Sequence, residues 1–569
     1  MQIPTLKQGN VSRENVTSFG GYHAGARIAE GEFAAMKNCT GDQFPLIATR
    51  RKRGGYAAPQ KCNGLLAKDS LCWVDGSKFV MNGYETELHL TDSPKQLVSM
   101  GAYVIIFPDK KYINTADLSD SGNLEAEFTS AGTVKFTPVD GDGKPLILAY
   151  TQPEEPEKPE NGALWLDTSG AGALLQWSAG TGMWVSVDNT LVRISCPNMG
   201  VSFRPGDGVQ LTGVPAGVET SGVIADCGRD YVTVPGLLER EASLDTPVTV
   251  GRYLPLMDMV LECGNRLWGC RYGLNRAGAV VNEIYASKLG DFRNWNCFQG
   301  VSTDSYCVSL GADGPFTGAV QHLGYPVFFR EDCIHRLYGS TPATFRLQTT
   351  PCPGVQQGCS QSLARVGQML YYKSPTGVCA YDGAVPVTVS QKLGAMPCIR
   401  ASAGALGDKY YICFQEEETT GQLWVYDTAR GLWHREDDTC IRCFCTCRDD
   451  LFFVNGAGQI ISVVGRGQPE EEISWMLETG MLGTLTPDSK TLTRLNLRLE
   501  LEQQATVWVQ YDGDDFWTPV ATVYGSAGQC FNLPVAVRRC DRLRLRLEGT
   551  GFMRLSCITK TMERGSEVL

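Results

Sequence analysis

One local pattern recurs along most of this chain, and it limits the folds open to it. A short apolar and aromatic stretch runs into a turn rich in Asp, Gly, Ser or Pro, and a second such stretch follows. "LCWVDGSKFVMNG" (residues 71–83) does this around Asp-Gly, a strong hairpin signal because glycine tolerates the positive φ of a tight turn. "AYVIIFPDKKYIN" (102–114) does it around Pro-Asp. The pattern returns at 266–295, 325–339, 369–383, 409–437 and 451–463. Helical periodicity is almost absent, and 63 glycines suit many tight turns better than long helices.

A lone hairpin is marginal in water, so these units need one another. From residue 266 onward they recur roughly every 40–60 residues, the spacing of four-stranded propeller blades with variable loops. The expected fold is all-β: a β-propeller of about seven blades. In it, residues 61–124 hold the first blades and 251–466 the rest, preceded by an N-terminal arm over 1–60. Two segments interrupt the series. "TQPEEPEKPENG" (151–162) is a stiff, solvated linker inside a Gly- and Val-rich stretch, and 125–250 reads as an inserted small β domain. After "GQPEEEISW" the chain alternates Leu with Arg ("TRLNLRLELEQ", "DRLRLRLEG"), which predicts a C-terminal antiparallel β-sandwich over 467–569.

Composition excludes several classes. With 43% hydrophobic and 20% charged residues the chain is globular, and it holds no run of ~18 apolar residues to span a bilayer. "MQIPTLKQGNVSREN" lacks the pattern of a signal peptide, so synthesis and folding in a cytoplasm are expected. The 22 cysteines then read as small buried residues in a reducing compartment. A net charge of −11 argues against tight nucleic-acid binding and suits a surface past which DNA slides.

Candidate chemistry is sparse. In "GQLWVYDTARGLWHRED" (421–437), His434 and Glu436 share a strand face beside Asp437, but no nucleophile accompanies them. In "CFCTC", Cys443, Cys445 and Cys447 alternate ~6.5–7 Å apart along an extended strand, too far for one zinc ion to take all three. His335 reads as a structural histidine bonded to backbone. Five histidines leave little room for His-based catalysis. "YDGDDFWTP" and "DTARGLW" echo sialidase turns without their spacing, and no nucleotide-binding, zinc-protease or hydrolase motif is present. No catalytic, cofactor-binding or metal-binding residue is assigned. The basic run 50–53 in "FPLIATRRKRGGY" is expected to dock on an acidic neighbouring subunit, with a solvated loop as the alternative.

Several stretches together resemble bacteriophage virion proteins. "GEFAAMKNCTGDQFPLIATRRKRG" (31–54) is similar to the opening that precedes the propeller in such proteins. "NEIYASKLGDFRNW" (282–295), "GPFTGAVQHLGYPVFFREDCIHRLYG" (314–339), "GVQQGCSQSLARVGQMLYYKSPTGVCAYDG" (354–383) and "LWVYDTARGLWHRED" (423–437) resemble blades of phage tail and head–tail proteins. "GALWLDTS" through "QWSAGTGMWVSV" (162–187) is similar to a module of phage structural proteins. The likeness points to the tail nozzle, or tail hub, of short-tailed phages. It implies a closed ring of six copies in the virion tail, made in the host bacterial cytoplasm. The implied partners are portal and adaptor proteins and tail fibres or a tail needle. DNA would pass through without sequence-specific binding, and no cofactor, catalysis or membrane insertion is implied. The alternative is a tail-tip adhesin binding host-surface carbohydrate, for which Trp165, Trp177 and Trp184 are the candidate aromatic cluster. A glycan-cleaving propeller would need paired carboxylates ~5–10 Å apart in its central funnel.

Overall fold

A computed structural model describes residues 11–564 except 171, 188–189, 297–300, 312–313, 485–488 and 537. Strands are the main regular structure of the described residues, which also hold three short 3-10 turns at Pro342–Thr344, Ser360–Ser362 and Gln391–Leu393.

Seven antiparallel sheets share one plan. We label them S1 (62–89), S2 (96–123), S3 (259–309), S4 (318–351), S5 (364–388), S6 (400–435) and S7 (441–462). S1 to S6 each hold four strands in sequence order. S7 has three of its own, and Gly54–Ala57 supplies the fourth by pairing with Ile460–Ser462; Gln468–Pro469 then adds to its edge. Each of the seven hairpin stretches read from the sequence lies in its own sheet.

The first strands touch in turn. Cys62–Ala67 meets Gln96–Met100, which meets Met259–Glu262, which meets Gly318–His322. The Ser360–Ser362 turn touches both Gly318–His322 and Arg400–Leu406, and Ala364–Val366 also packs on Arg400–Leu406. Ile441–Cys447 packs on Arg400–Leu406 and on Cys62–Ala67, which returns the series to S1. This is a propeller-like arrangement.

Its sheets bury both faces, which explains why middle strands such as Lys409–Gln415 are apolar along nearly their whole length. Trp268 and Ile284 of S3 pack with Phe328 and Leu337 of S4, and Trp73 of S1 packs with Phe452 and Ile460 of S7. A buried side chain of this size contributes about 1.5–3 kcal/mol over its exposed state.

Residues 126–252 depart between S2 and S3 and return to the same place, since Ala126–Thr129 pairs with Thr249–Arg252. Their two sheets enclose a separate core that includes Phe136, Ile194 and Val232. A smaller sheet nested inside, residues 150–186, contains a parallel pair, Tyr150–Gln152 with Leu164–Asp167. The unit is tied to S3 by a bond from the Gly208 amide to Asn294 Oδ1 at 3.0 Å.

The two ends of the chain differ from expectation. The described parts of the expected N-terminal arm (11–60) and C-terminal sandwich (467–564) share one sheet and are not separate units. Val11–Val16, Phe33–Lys37, Cys39–Thr40 and Ile47–Thr49 join the C-terminal strands in one ten-stranded sheet. Its spine is the long strand Lys490–Tyr511, which pairs with Met553–Arg564 along its first half and Leu543–Thr550 along its second. Leu495, Leu497, Leu499, Leu545 and Leu547 fill its core together with Phe19, Phe33 and Met36. The C-terminal alternation supplies an apolar face, and the N-terminal strands complete its cover.

Candidate functional site

The charge clusters of residues 50–53 and 434–437 meet. Ile47–Thr49 sits in the terminal sheet and Gly54–Ala57 in S7, so the intervening basic run is stretched across the end of S6. Arg50 and Arg53 are buried there. Arg50 bonds Glu470 with both terminal nitrogens (2.7 and 2.9 Å), Asp437 at 3.3 Å and Asn38 Oδ1 at 2.8 Å. Arg53 bonds Glu436 and Asp437, the latter at 2.8 Å, and its amide donates to Glu470 at 3.1 Å. Its guanidinium also lies over the Phe453 ring. The expected docking on a neighbouring subunit is therefore corrected, because the acidic partner of Arg50 and Arg53 is the chain itself. Arg51 and Lys52 remain exposed.

The electrostatics follow from burial. Desolvation opposes charge on Asp437, yet Arg53 and Arg50 outweigh it and hold its carboxyl below the ordinary range. Glu470 is held down in the same way, through its bonds from Arg50. Burial also opposes the Arg53 charge, and Glu436 and Asp437 more than reverse that.

His434 takes no part in this cluster. It is 3% exposed, and burial, with Lys409 beside it, pushes it down to about 4, so it is neutral. A Cβ on Gly41 would lie 2.8 Å from its Nε2, so glycine is what lets the N-terminal segment close over the ring. The sequence set His434, Glu436 and Asp437 together; the structure gives the histidine to packing and the carboxylates to the arginines.

A cleft of about 610 Å³ opens beside the cluster, and Asp42, Lys409, Asp427 and Arg430 are among its walls. Lys409 pairs with Asp42, and Arg430 with Asp427. Carboxylates tied to cations lack the apolar surroundings that keep a general acid protonated. A second cavity, about 660 Å³, lies where the first strands of S1, S2, S6 and S7 begin. Lys61, Lys95, Arg400 and Arg442 are among its walls, and Glu418 is the acidic residue among those lining it.

The other candidates resolve as follows. His335 bonds the Thr349 hydroxyl at 2.9 Å and Cys333 at 3.5 Å, so its partners are side chains where backbone was expected. Cys443, Cys445 and Cys447 pack with Cys62 and Trp73 between S7 and S1. Among the described residues no group of three or more His, Cys, Asp or Glu is placed to hold a metal ion. Trp165, Trp177 and Trp184 do gather, in the nested sheet. Their rings pack edge to face at 5.2 and 5.3 Å around Trp184, and Trp165 is 6% exposed. Glu470 was missed because "GQPEEEISW" reads as a break; its three acidic residues, matched against the lone dense basic run, were the available signal.

No family model and no curated protein matches the chain. Solved structures similar to it include the exo-β-1,3-galactanase of Phanerochaete chrysosporium, at 9% identity over 53% of this chain and 94% of that one, TM-score 0.20. BamB of Moraxella catarrhalis is 12% identical over 64% and 92%, TM-score 0.24. PorZ of Porphyromonas gingivalis is 9% identical over 88% and 71%, TM-score 0.25. At these scores none of the three informs on activity.

Proposed function

We propose that this chain is a structural virion protein, a subunit of the nozzle or head–tail connecting ring of a short-tailed phage, and that S1 to S7 are the seven blades of one propeller. The observation that carries the reading is how the body is fastened. S7 takes its fourth strand from Gly54–Ala57, and Arg50 and Arg53 bind that same segment to S6 and to Glu470 at the entry to the terminal sheet. Both ends of the chain thus meet in one sheet that is ion-paired to the propeller-like body. Such a body holds its shape under strain, as a channel wall must. The resemblance of residues 31–54 and 282–437 to phage proteins supplies the context.

On this reading six copies close a ring beneath the portal and adaptor, with fibres or a needle attached below. Each contact in such a ring is heterologous and must close. The net charge of −11 keeps phosphate from being trapped as DNA passes. The protein catalyses nothing and acts in the tail of the virion. The adhesin reading is weaker because the three tryptophans pack on one another.

Light scattering of the purified protein, alone and with a portal or adaptor preparation, tests this. A closed ring of about six to twelve chains, or ring formation triggered by the partner, is expected. A stable monomer indifferent to the connector overturns it, and glycan binding by that monomer would favour the adhesin.

A further inference from the structure

The terminal sheet has a wet face as well as a core, and its register collects arginines there. Residues opposite one another in an antiparallel ladder share a face. Arg13 of Val11–Val16 lies opposite Thr561, which lies opposite Arg494 of Lys490–Tyr511. In the row to one side, Glu563 lies opposite Thr491, and Thr491 opposite Arg539. In the row to the other side, Asn15, Thr559, Asn496 and Asn532 line up across four strands. Arg498 follows Asn496 two residues on, so it shares that face. Leu495 and Leu497, which alternate with these residues, fill the core behind.

Arg13, Arg494, Arg498 and Arg539 are exposed, and among the described residues none of them has an ion pair or a side-chain hydrogen bond. The rows hold one carboxylate, Glu563 at their rim, and Glu500 just beyond Arg498 is held by Arg554. In a chain of net charge −11 this is a local excess of positive charge. With strands ~4.8 Å apart and residues ~3.3 Å apart along them, Arg13 and Arg494 stand about 10 Å apart and Arg494 and Arg498 about 13 Å. Asn15, Asn496, Asn532, Thr559 and Thr561 lie between and beside the arginines, and amides and hydroxyls of this kind also donate to phosphate oxygens. No aromatic or large aliphatic side chain occupies the middle of these rows. A protein partner would want such an anchor, whereas a hydrated polyanion does not.

We propose that this face meets the phosphodiester backbone of double-stranded DNA through Arg13, Arg494, Arg498 and Arg539, independently of base sequence. This rests on the reading of the chain as a subunit of a DNA-conducting ring, and it names the surface that the DNA touches. The contact is electrostatic and weak. Four guanidinium groups neutralise about four phosphates while the rest of the acidic chain repels, so a duplex is held near the face and still slides along it.

Fluorescence anisotropy of a labelled random-sequence duplex with the unaltered chain, over a salt series, tests this. Log affinity against log salt should fall with a slope of about −3 to −4, as expected for four phosphates. Arg494→Gln and Arg498→Gln should each reduce that slope by about 1, alike on any sequence, and Arg494→Lys should restore it. Arg51→Gln with Lys52→Gln, at the exposed basic pair elsewhere on the chain, should leave binding as it was. No binding at low salt overturns the proposal, as does binding that survives Arg494→Gln with Arg498→Gln. Self-association that Arg494→Gln abolishes, without DNA binding, also overturns it and gives the face to an acidic segment of a second copy. Light scattering of the same samples separates the two readings. A monomer that binds DNA through these arginines loses the ring and keeps the face; a ring whose DNA affinity ignores them keeps the ring and loses the face.

Discussion

Arg50 and Glu470, 420 positions apart, meet in a two-pronged ion pair, Nη1 to Oε2 at 2.7 Å and Nη2 to Oε1 at 2.9 Å. The planar fork of a guanidinium suits a carboxylate in a way that lysine cannot reproduce. The pair joins the segment leaving S7 to the segment entering it, with Arg53, Glu436 and Asp437 alongside.

Removing one partner from such a cluster strands the others in a dry site. Arg53→Ala should lower stability by about 3–5 kcal/mol, because the Arg53 and Glu436 side chains are only 5% and 7% exposed. Arg53→Lys should recover part of that, and Arg53→Ala with Glu436→Gln should cost less than the sum of the two. Urea unfolding of the unaltered protein and these four variants, Glu436→Gln alone included, measures this; additive effects would show that the pair is not coupled.

Acid should loosen the same region in two stages. His434 is held at about 4 against an ordinary 6.5, so the unfolded chain binds its proton first. That contribution is whole above pH 6.5 and drains away as pH falls towards 4, on the order of 3–4 kcal/mol. Asp437 and Glu470 sit below their ordinary 3.8 and 4.5, so theirs is whole above those values and is lost as pH falls through the depressed ones. Stability against pH should therefore decline in the acid range. His434→Gln should flatten the stretch from 6.5 to 4 and leave the lower one; an unchanged upper stretch would show that His434 does not titrate as described.

Gly54 pairs with Ser462, and a Cβ placed on it would lie 2.2 Å from the Arg466 carbonyl oxygen. Backbone cannot yield there as a side chain could. Gly54→Val should unzip the fourth strand of S7, with amide exchange rising in Ile460–Ser462 and little change in Tyr103–Phe107 of S2. Unchanged protection in Ile460–Ser462 would mean that the added strand is not what holds that edge.

Residues 125–253 should fold when expressed alone. Their ends are paired through Ala126 and Arg252, and the core around Phe136, Ile194 and Val232 is their own. A cooperative thermal transition with a β-type circular dichroism spectrum is expected, and a non-cooperative melt would show dependence on S3.

The seven hairpins were legible because everything that makes them is local: Asp75 and Gly76 turn the chain between Leu71–Asp75 and Lys78–Met81, and alternation places the flanking side chains. The 125–250 stretch stood out in the sequence through the linker within it (151–162) and its change of composition. The partners of the terminal strands were not. Alternation in "TRLNLRLELEQ" states that one face is buried, but Phe33 and Met36, which help to cover it, lie some 460 residues earlier. Nor does "GGYA" (54–57) carry an apolar pattern, since it enters S7 through backbone hydrogen bonds. The charged cluster failed for a related reason: each run looks solvated until the other is brought to it.

Gly54–Ala57 also sets a clock. It leaves the ribosome about 400 residues ahead of its partner Ile460–Ser462, which at 5–20 residues per second is roughly 20–80 s. Throughout that interval S7 cannot be completed, and a strand edge waits while neighbouring nascent chains on the same message carry the same one. Two glycines and no apolar alternation make it a poor template for a foreign strand. The segment that finishes the molecule is thus also poorly suited to begin an aggregate.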